Sequence, residues 1–297
     1  MRAVQTTEGG QLLAWRRRQL QRGGQPVDLD WLLDLAGGLA WSDLQKLLVD
    51  SERSVALRVP LSQLEAIWQR HLSEQVPLQY LVGLCPWRDL LLEVSAAALI
   101  PRQETEQLLD LAISLCGEGA VKRWADLGTG SGAIAVSLSR AYPTAVGHAV
   151  DASDAALGLA RRNLMRLSPE HICHLHHGQW WDPLKPWWGR FDLVLSNPPY
   201  IPNSVIDTLS PTVRDHEPRL ALDGGADGLD CIRGIVGSAE DALAPGGWLL
   251  LEHHHDQSEA VLQLMRNAGL ERLSASADLG GIQRFAIGQR SCQEGLG

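Results

Sequence analysis

Positive charge is the scarcer kind in this sequence. The 297 residues carry 26 Lys and Arg against 35 Asp and Glu, a formal net charge of −9 with a pI near 5.5. A protein that grips duplex DNA needs a basic stripe to neutralise phosphates, so direct nucleic-acid binding is not expected. A small-molecule or protein substrate fits this balance better, and a basic partner would be attracted to it. Cysteine is also sparse. The five cysteines (Cys85, Cys116, Cys173, Cys231, Cys292) are odd in number and scattered, with no CxxC pair. Neither a zinc site nor a disulfide framework follows from that, and reduced thiols in a cytoplasmic protein are the plain reading. Met1–Gly10 has no apolar core of the kind a signal peptide needs. No apolar run approaches the roughly 18 residues that would span a bilayer, so no membrane partner is expected. Internal repeats and low-complexity segments are absent too.

What is present is the composition of a globular protein: 45% hydrophobic and 21% charged residues. The length exceeds the usual domain of about 100–150 residues, so two domains are expected. Residues 1–75 read as helices only. Trp31-Leu32-Leu33 with Leu35, Leu44 with Leu47-Leu48, and Leu64, Ile67, Trp68 and Leu72 form apolar stripes at helical spacing. Ser62 followed by Glu65 has the form of a capping box. These stripes carry no chemistry and predict a small helical bundle that holds something in place. Residues 76–101 change character: Gly83, Pro86 and Leu90-Leu91-Leu92 suggest a hairpin linker. From residue 102 to 290, strands alternate with helices. Strands are expected at Val121–Leu127, Ala145–Val150, Ile172–Leu175, Phe191–Ser196 and Trp248–Glu252. Helices are expected at Thr105–Cys116, Ala133–Ala141, Ala155–Leu167, Ile232–Leu243 and Glu259–Ala268. This βαβ alternation implies an α/β fold with a mostly parallel sheet and helices on both faces. Ser291–Gly297 reads as a frayed tail.

Asp126-Leu127-Gly128-Thr129-Gly130-Ser131-Gly132 follows a strand and opens a helix. Glycines let the backbone turn tightly and approach a ligand without a Cβ clash. N–H groups at the helix start favour an anion, which for S-adenosyl-L-methionine would be its methionine carboxylate. Asp151 ends the next strand, where an acidic side chain meets ribose hydroxyls in dinucleotide folds. Alone, these features do not choose between a nicotinamide and S-adenosylmethionine. The G-x-G-x-G spacing and the preceding Asp126 lean towards a methyl donor.

Ser196-Asn197-Pro198-Pro199-Tyr200 follows the strand Phe191–Ser196, at the strand end where open α/β sheets bind ligands. An amide nitrogen is a poor nucleophile because its lone pair is delocalised into the carbonyl, so it must be held with that lone pair facing the methyl group. The Asn197 side-chain oxygen can accept one amide hydrogen and the Pro198 carbonyl the other. Two prolines fix φ and aim those acceptors, and Tyr200 offers a face on which a flat amide or base can stack. Methyl transfer to a planar, amide-like nitrogen is the expected chemistry.

The sequence resembles the release-factor glutamine N5-methyltransferase family over nearly its whole length. The resemblance is carried by Gln79-Tyr80-Leu81-Val82-Gly83, Ile100-Pro101-Arg102-Gln103-Glu104-Thr105-Glu106, the glycine loop, Ala149-Val150-Asp151-Ala152-Ser153 and Phe191–Tyr200. Downstream it continues through Glu217-Pro218-Arg219-Leu220-Ala221-Leu222 and Gly224-Gly225-Ala226-Asp227-Gly228-Leu229-Asp230. Asn-Pro-Pro-Tyr is shared with adenine-N6 methyltransferases of DNA, and two other segments, Pro-Arg-x-Glu-Thr-Glu at residues 101–106 and Glu-Pro-x-x-Ala-Leu at residues 217–222, are more telling. The resemblance implies a seven-stranded, Rossmann-like class I methyltransferase sheet behind a small helical domain. It implies S-adenosylmethionine as cofactor, held by Asp126, Gly128, Thr129, Gly130, Ser131, Gly132, Asp151, Asn197 and, against the adenine, Trp180. It also implies a class 1 peptide chain release factor as partner. The glutamine of its Gly-Gly-Gln motif would be the acceptor, bound by Asn197, Pro198, Pro199 and Tyr200. Gln179 stands where relatives commonly have an acidic residue. The alternatives are glutamine methylation of a ribosomal protein, DNA adenine methylation, and a non-catalytic module that keeps the fold.

Two histidine groups complete the reading. His253-His254-His255-Asp256 invites a metal, but adjacent residues of an extended strand point to opposite sides and cannot all reach one ion. His171, His174, His176 and His177 with Cys173 lack paired ligand spacing and read as solvated strand-end residues. Trp181, Trp187 and Trp188 read as packing or lip residues.

Overall fold

The computed structural model describes residues 5–117 and 119–292. Most of the tail expected at Ser291–Gly297 lies outside the described residues. The chain divides into two compact units, one running to Leu84 and including Pro211–His216, the other formed by the remainder.

In the first unit, α1 (Gly9–Gln21), α2 (Pro26–Leu35), α3 (Trp41–Val49), α4 (Leu61–Glu74) and α5 (Leu78–Val82) enclose a core of Leu12, Trp15, Leu29, Leu32, Leu33, Leu44, Leu47, Leu64 and Trp68. The expected stripe on α4 is real: Leu64 and Trp68 are fully buried, with Ile67 and Leu72 packed at their edges. Two expectations fail. The region is not only helical, because β1 (Gln5–Glu8) pairs antiparallel with β2 (Ser54–Leu57). Four-residue strands are too short to show a period, and their pairing is far from local. The capping box does not form either. α4 starts at Leu61 behind the extended Pro60, so Ser62 already lies inside the helix and caps nothing.

The second unit contains the hairpin β3 (Leu84–Trp87) and β4 (Leu90–Glu93), whose first residue belongs to the first unit. The chain continues through α6 (Glu106–Cys116), β5 (Arg123–Leu127), α7 (Ala133–Ala141), β6 (Val146–Asp151), α8 (Asp154–Leu167), β7 (Cys173–His177) and β8 (Phe191–Ser196). Short helices α9 (Asn203–Ile206), α10 (Pro211–Arg214, assigned to the first unit), α11 (Asp230–Val236) and α12 (Ala239–Ala242) follow. The chain then forms β9 (Leu243–Glu252), α13 (Ser258–Asn267), β10 (Glu271–Ala277) and β11 (Gln283–Gln289). The helix expected over Ile232–Leu243 is broken at Gly237-Ser238 into α11 and α12. β10 and β11 carried no readable strand signal of their own. The alternating, half-exposed Glu271–Ala277 stretch presents little apolar surface.

Seven strands form one sheet in the order β10-β11-β9-β8-β5-β6-β7. Six run in the same direction, while β11 runs antiparallel between β9 and β10. Alternation along the strands feeds two cores. Trp124, Leu193, Leu195 and Leu250 pack on one face against α6 and α7. Ala125, Leu127, Val194, Leu249 and Leu251 pack on the other against α11, α12 and α13. The Trp124 indole occupies the space above Gly147, where an added Cβ would fall 2.1 Å from its ring. The chain leaves β5 towards β6 on one side and later returns to β8 on the other. That reversal of strand order opens a crevice beyond the carboxyl ends of β5 and β8. No helix among the described residues is long and apolar enough to cross a membrane.

Candidate active site

A cavity of about 350 Å³ lies in that crevice, within the range of small-molecule sites. The glycine loop joining β5 to α7 forms its floor. Gly128, Gly130 and Gly132 have φ of 79°, 55° and 84°, the left-handed region that L side chains avoid. The Trp180 ring closes over Gly128, so a Cβ there would meet it at 3.3 Å. Trp180 itself is held at φ 49°, a costly conformation for an aromatic residue and one found at constrained sites. Its neighbour Trp181 is buried in the core, donating to the Ile235 carbonyl at 2.7 Å.

Asp126 and Asp151 have different positions. Asp151 lines the cavity, accepting from the Gly130 N–H at 2.8 Å and the Ser153 N–H at 2.9 Å. Burial raises its pKa, against the pull of those N–H groups. Asp126 is fully buried beneath the loop and does not line the cavity. One of its oxygens accepts from the Thr129 hydroxyl at 2.6 Å and the Ala135 N–H at 3.1 Å, while the other has no hydrogen-bond partner. Burial pushes its pKa up to about 7, with the Thr129 hydroxyl opposing. The loop's own N–H groups are largely engaged within the protein. Those of Gly128, Thr129, Gly130 and Gly132 are spent on Val150, Asp151 and Thr129. Among the described residues, the N–H groups of Ser131, Ala133 and Ile134 remain without a protein acceptor, and all three residues line the cavity.

The Asn-Pro-Pro-Tyr loop occupies the opposite wall, with Asn197 and Pro199 on the cavity. Pro198 is buried behind them, and Tyr200 turns away to donate to Glu252 at 3.2 Å. Sequence reasoning missed the residues that hold this wall. Asn197 Nδ2 donates to the Thr105 hydroxyl at 3.0 Å, and that hydroxyl donates to Glu252 at 2.6 Å. Glu252 is 1% exposed, and its burial pushes the pKa up to about 7 against the hydrogen bonds from Thr105 and Tyr200. A signal was available: an acid ending the apolar strand Leu249-Leu250-Leu251, at the sheet edge where ligands bind. The two telling segments meet as well. Arg102, on the cavity wall, pairs with the buried Glu217 at 2.7 Å, and Glu217 also accepts from the Ile100 N–H.

The Methyltransferase small domain family model matches residues 105–213. Release factor glutamine methyltransferase of Prochlorococcus marinus is 53% identical over 94% of this chain and 96% of its own. The enzyme of the same name from Gloeobacter violaceus is 43% identical over 92% of this chain and 95% of its own. This chain belongs to the release factor glutamine methyltransferase family. It is a methyltransferase, and its methyl donor is S-adenosylmethionine. A methyltransferase from Pyrococcus furiosus, 16% identical, superposes on 77% of this chain and 98% of its own with a TM-score of 0.51, which shows the shared fold.

Of the residues that resemblance to the methyltransferase family marked, Gly128, Thr129, Gly130, Ser131, Asp151, Trp180, Asn197 and Pro199 line one cavity. Asp126, Gly132, Pro198 and Tyr200 stand behind that lining. Gln179 lines the cavity too. The histidine groups also differ from expectation. β9 ends at Glu252, so His254, His255 and Asp256 lie in a turn rather than alternating along a strand, and their donor atoms converge within 4.8 Å. His254 is hydrogen-bonded to Asp256 at 2.6 Å. In the other group, His174 and His176 lie within β7, and His176 meets the fully buried His148 at 3.0 Å. Burial, then the neighbouring Arg123, push His148 down to about 3.

Proposed function

We propose that the chain methylates the side-chain amide nitrogen of the glutamine in the Gly-Gly-Gln motif of class 1 peptide chain release factors, acting in the cytoplasm. The observation that carries this reading is the convergence of the glycine loop and the Asn-Pro-Pro-Tyr loop on one cavity, at neighbouring parallel strands. The residues fit S-adenosylmethionine. Positive-φ glycines leave room beside an indole face, the half-buried Asp151 carboxylate stands at the ribose position, and helix-start N–H groups remain for a carboxylate. When bound, the donor supplies an electrophilic methyl group. Gly128, Thr129, Gly130, Ser131, Asp151 and Trp180 would hold it, with Gly132 and Asp126 bracing the loop behind them.

Asn197 Oδ1 and the Pro198 carbonyl accept the two amide hydrogens, turning the nitrogen towards the methyl group. Pro199 and Tyr200 shape the slot. One amide hydrogen is exchanged for a methyl and leaves as a proton. Holding reactants in this way is worth about 7–11 kcal/mol of barrier in favourable cases, so no strong general base is required. Flanking glycines let the acceptor enter a narrow cleft because they bring no side chains. The first unit, proposed as the recognition domain with residues 76–101 as its linker, carries exposed Trp41, Leu48 and Val49 on α3, which supports a partner-binding role.

The test is incubation with labelled S-adenosylmethionine and either an intact release factor or a short Gly-Gly-Gln peptide. Mass spectrometry is expected to find one added methyl on the glutamine side chain, formed much more slowly on the peptide. An unmodified release factor beside a labelled ribosomal protein or DNA adenine would overturn the substrate assignment.

A further inference from the structure

Asn197 can serve the acceptor only one way round. A side-chain amide is an acceptor at one end and a donor at the other, and the glutamine nitrogen that must be held brings hydrogens of its own. Something has to stop the Asn197 amide from flipping. The cavity wall supplies a chain of hydrogen bonds whose direction is fixed by counting protons. Glu252 ends β9 next to the end of β8, with Ser196 and Leu251 as register partners one residue earlier. As a carboxylate it only accepts, from Thr105 at 2.6 Å and from Tyr200 at 3.2 Å. The Thr105 hydroxyl has a single hydrogen, given to Glu252, so towards Asn197 it can only accept. Only the Nδ2 end of Asn197 can satisfy it, at 3.0 Å.

We infer that Glu252 is a positioning residue for methyl transfer, fixing through Thr105 which end of the Asn197 amide faces the acceptor while tethering Tyr200 of the same loop. This rests on the substrate reading proposed above. Glu252 is sealed from solvent, so water cannot substitute for its partners. Its carboxyl is faced by Thr105, Tyr200, Arg284 from β11 and the more distant Glu104, with His253 and His254 following it in the chain. Arg284 is itself bound to Asp278 at 2.7 Å. Protonation puts a hydrogen on one carboxyl oxygen and reverses one of the two bonds, and glutamine at this position does the same permanently. Burial holds the pKa near 7, so the orienting form is gained as pH rises through neutrality.

The experiment uses the full-length chain, S-adenosylmethionine and an intact release factor. For Glu252→Gln and Thr105→Val, kcat is expected to fall roughly 10–100-fold, the range usual for residues that orient a direct contact. Cofactor Kd should stay within about twofold of wild type, the uncertainty of a good titration. Thr105→Ser, which keeps the hydroxyl, should recover most of the activity. The rise of kcat with pH near 7 should flatten in Glu252→Gln. Wild-type kcat in both variants, a serine variant as impaired as the valine one, or an unchanged pH profile in Glu252→Gln would each overturn the assignment. If Glu252→Gln fails to fold by near-ultraviolet circular dichroism, the valine and serine pair carries the test alone. A wild-type enzyme that leaves release factor unmethylated refutes the substrate reading instead. The orientation is then read without any acceptor, from the side-chain amide resonances of Asn197 in 15N-Asn-labelled protein. They should move in Thr105→Val and return in Thr105→Ser; resonances unmoved by either change refute the inference.

Discussion

Replacing Asp151 separates two ways in which one carboxylate can serve a cofactor site. Its oxygens accept from the Gly130 and Ser153 N–H groups at 2.8 and 2.9 Å, so it pins the glycine loop as well as facing the proposed ribose position. Hydrogen bonds to a charged group are worth about 1.5–3 kcal/mol each. Losing one such bond to the cofactor alone corresponds to a roughly 10–150-fold rise in Kd. Asp151→Ala should reach at least that range, because the loop loses its tether too. Asp151→Asn is the sharper probe. Asparagine keeps one acceptor oxygen and places an NH2 group against one of the two backbone N–H donors. It should therefore bind S-adenosylmethionine no better than the alanine variant. Isothermal titration calorimetry on both variants measures this directly. If Asp151→Asn binds within about twofold of wild type, the carboxylate is not needed twice over and the reasoning fails.

Gly128→Ala combines a left-handed φ, costing about 1–2 kcal/mol, with a Cβ against Trp180, so cofactor binding should suffer more than thermal stability. Calorimetry and a melting curve on the same sample check this. Asn197→Ala removes the proposed orienting acceptor and should lower kcat by roughly 100–1,000-fold while the fold stays intact. Single-turnover kinetics with release factor measure that loss. Trp68→Ala empties the core of the first unit and should cost about 3–5 kcal/mol, read from denaturant unfolding. Asp126 makes a pH prediction. Its pKa is about 7 in the folded chain against 3.8 ordinarily, so the stabilisation of its protonated form is complete below about 3.8 and is lost as pH rises through 7. Stability should therefore fall less steeply over that window in Asp126→Asn than in wild type, and equal slopes would sink the argument.

The parts of this fold that were legible are those whose physics is local. Ala133–Ala141 and Phe191–Ser196 match the sequence expectation at both ends, because each is a long apolar stretch bounded by glycine or proline. The glycine loop was legible because only glycine tolerates its φ values, and Asn-Pro-Pro-Tyr because rigid, aimed acceptors are rare in chance sequence. Pairings between distant segments left little trace. β1 and β2 are four residues each and meet across nearly fifty positions, while β10 is a half-exposed edge strand with a single large apolar side chain, Leu273, and β11, though largely buried, is defined by its pairing with β9 and β10. The site divides in the same way. Residues that touch a ligand advertise themselves by type, but residues that hold them are defined by partners elsewhere in the chain. Thr105 and Glu252 lie 147 positions apart, and nothing in either neighbourhood names the other. Arg102 and Glu217 came closer to being read, since both fall in segments that carried the family resemblance, yet their ion pair is visible only once the chain has folded. Asp126 shows the converse. It was grouped with the cofactor contacts because of its place in the motif, and the fold instead puts it beneath the loop, reaching the cavity only through Thr129.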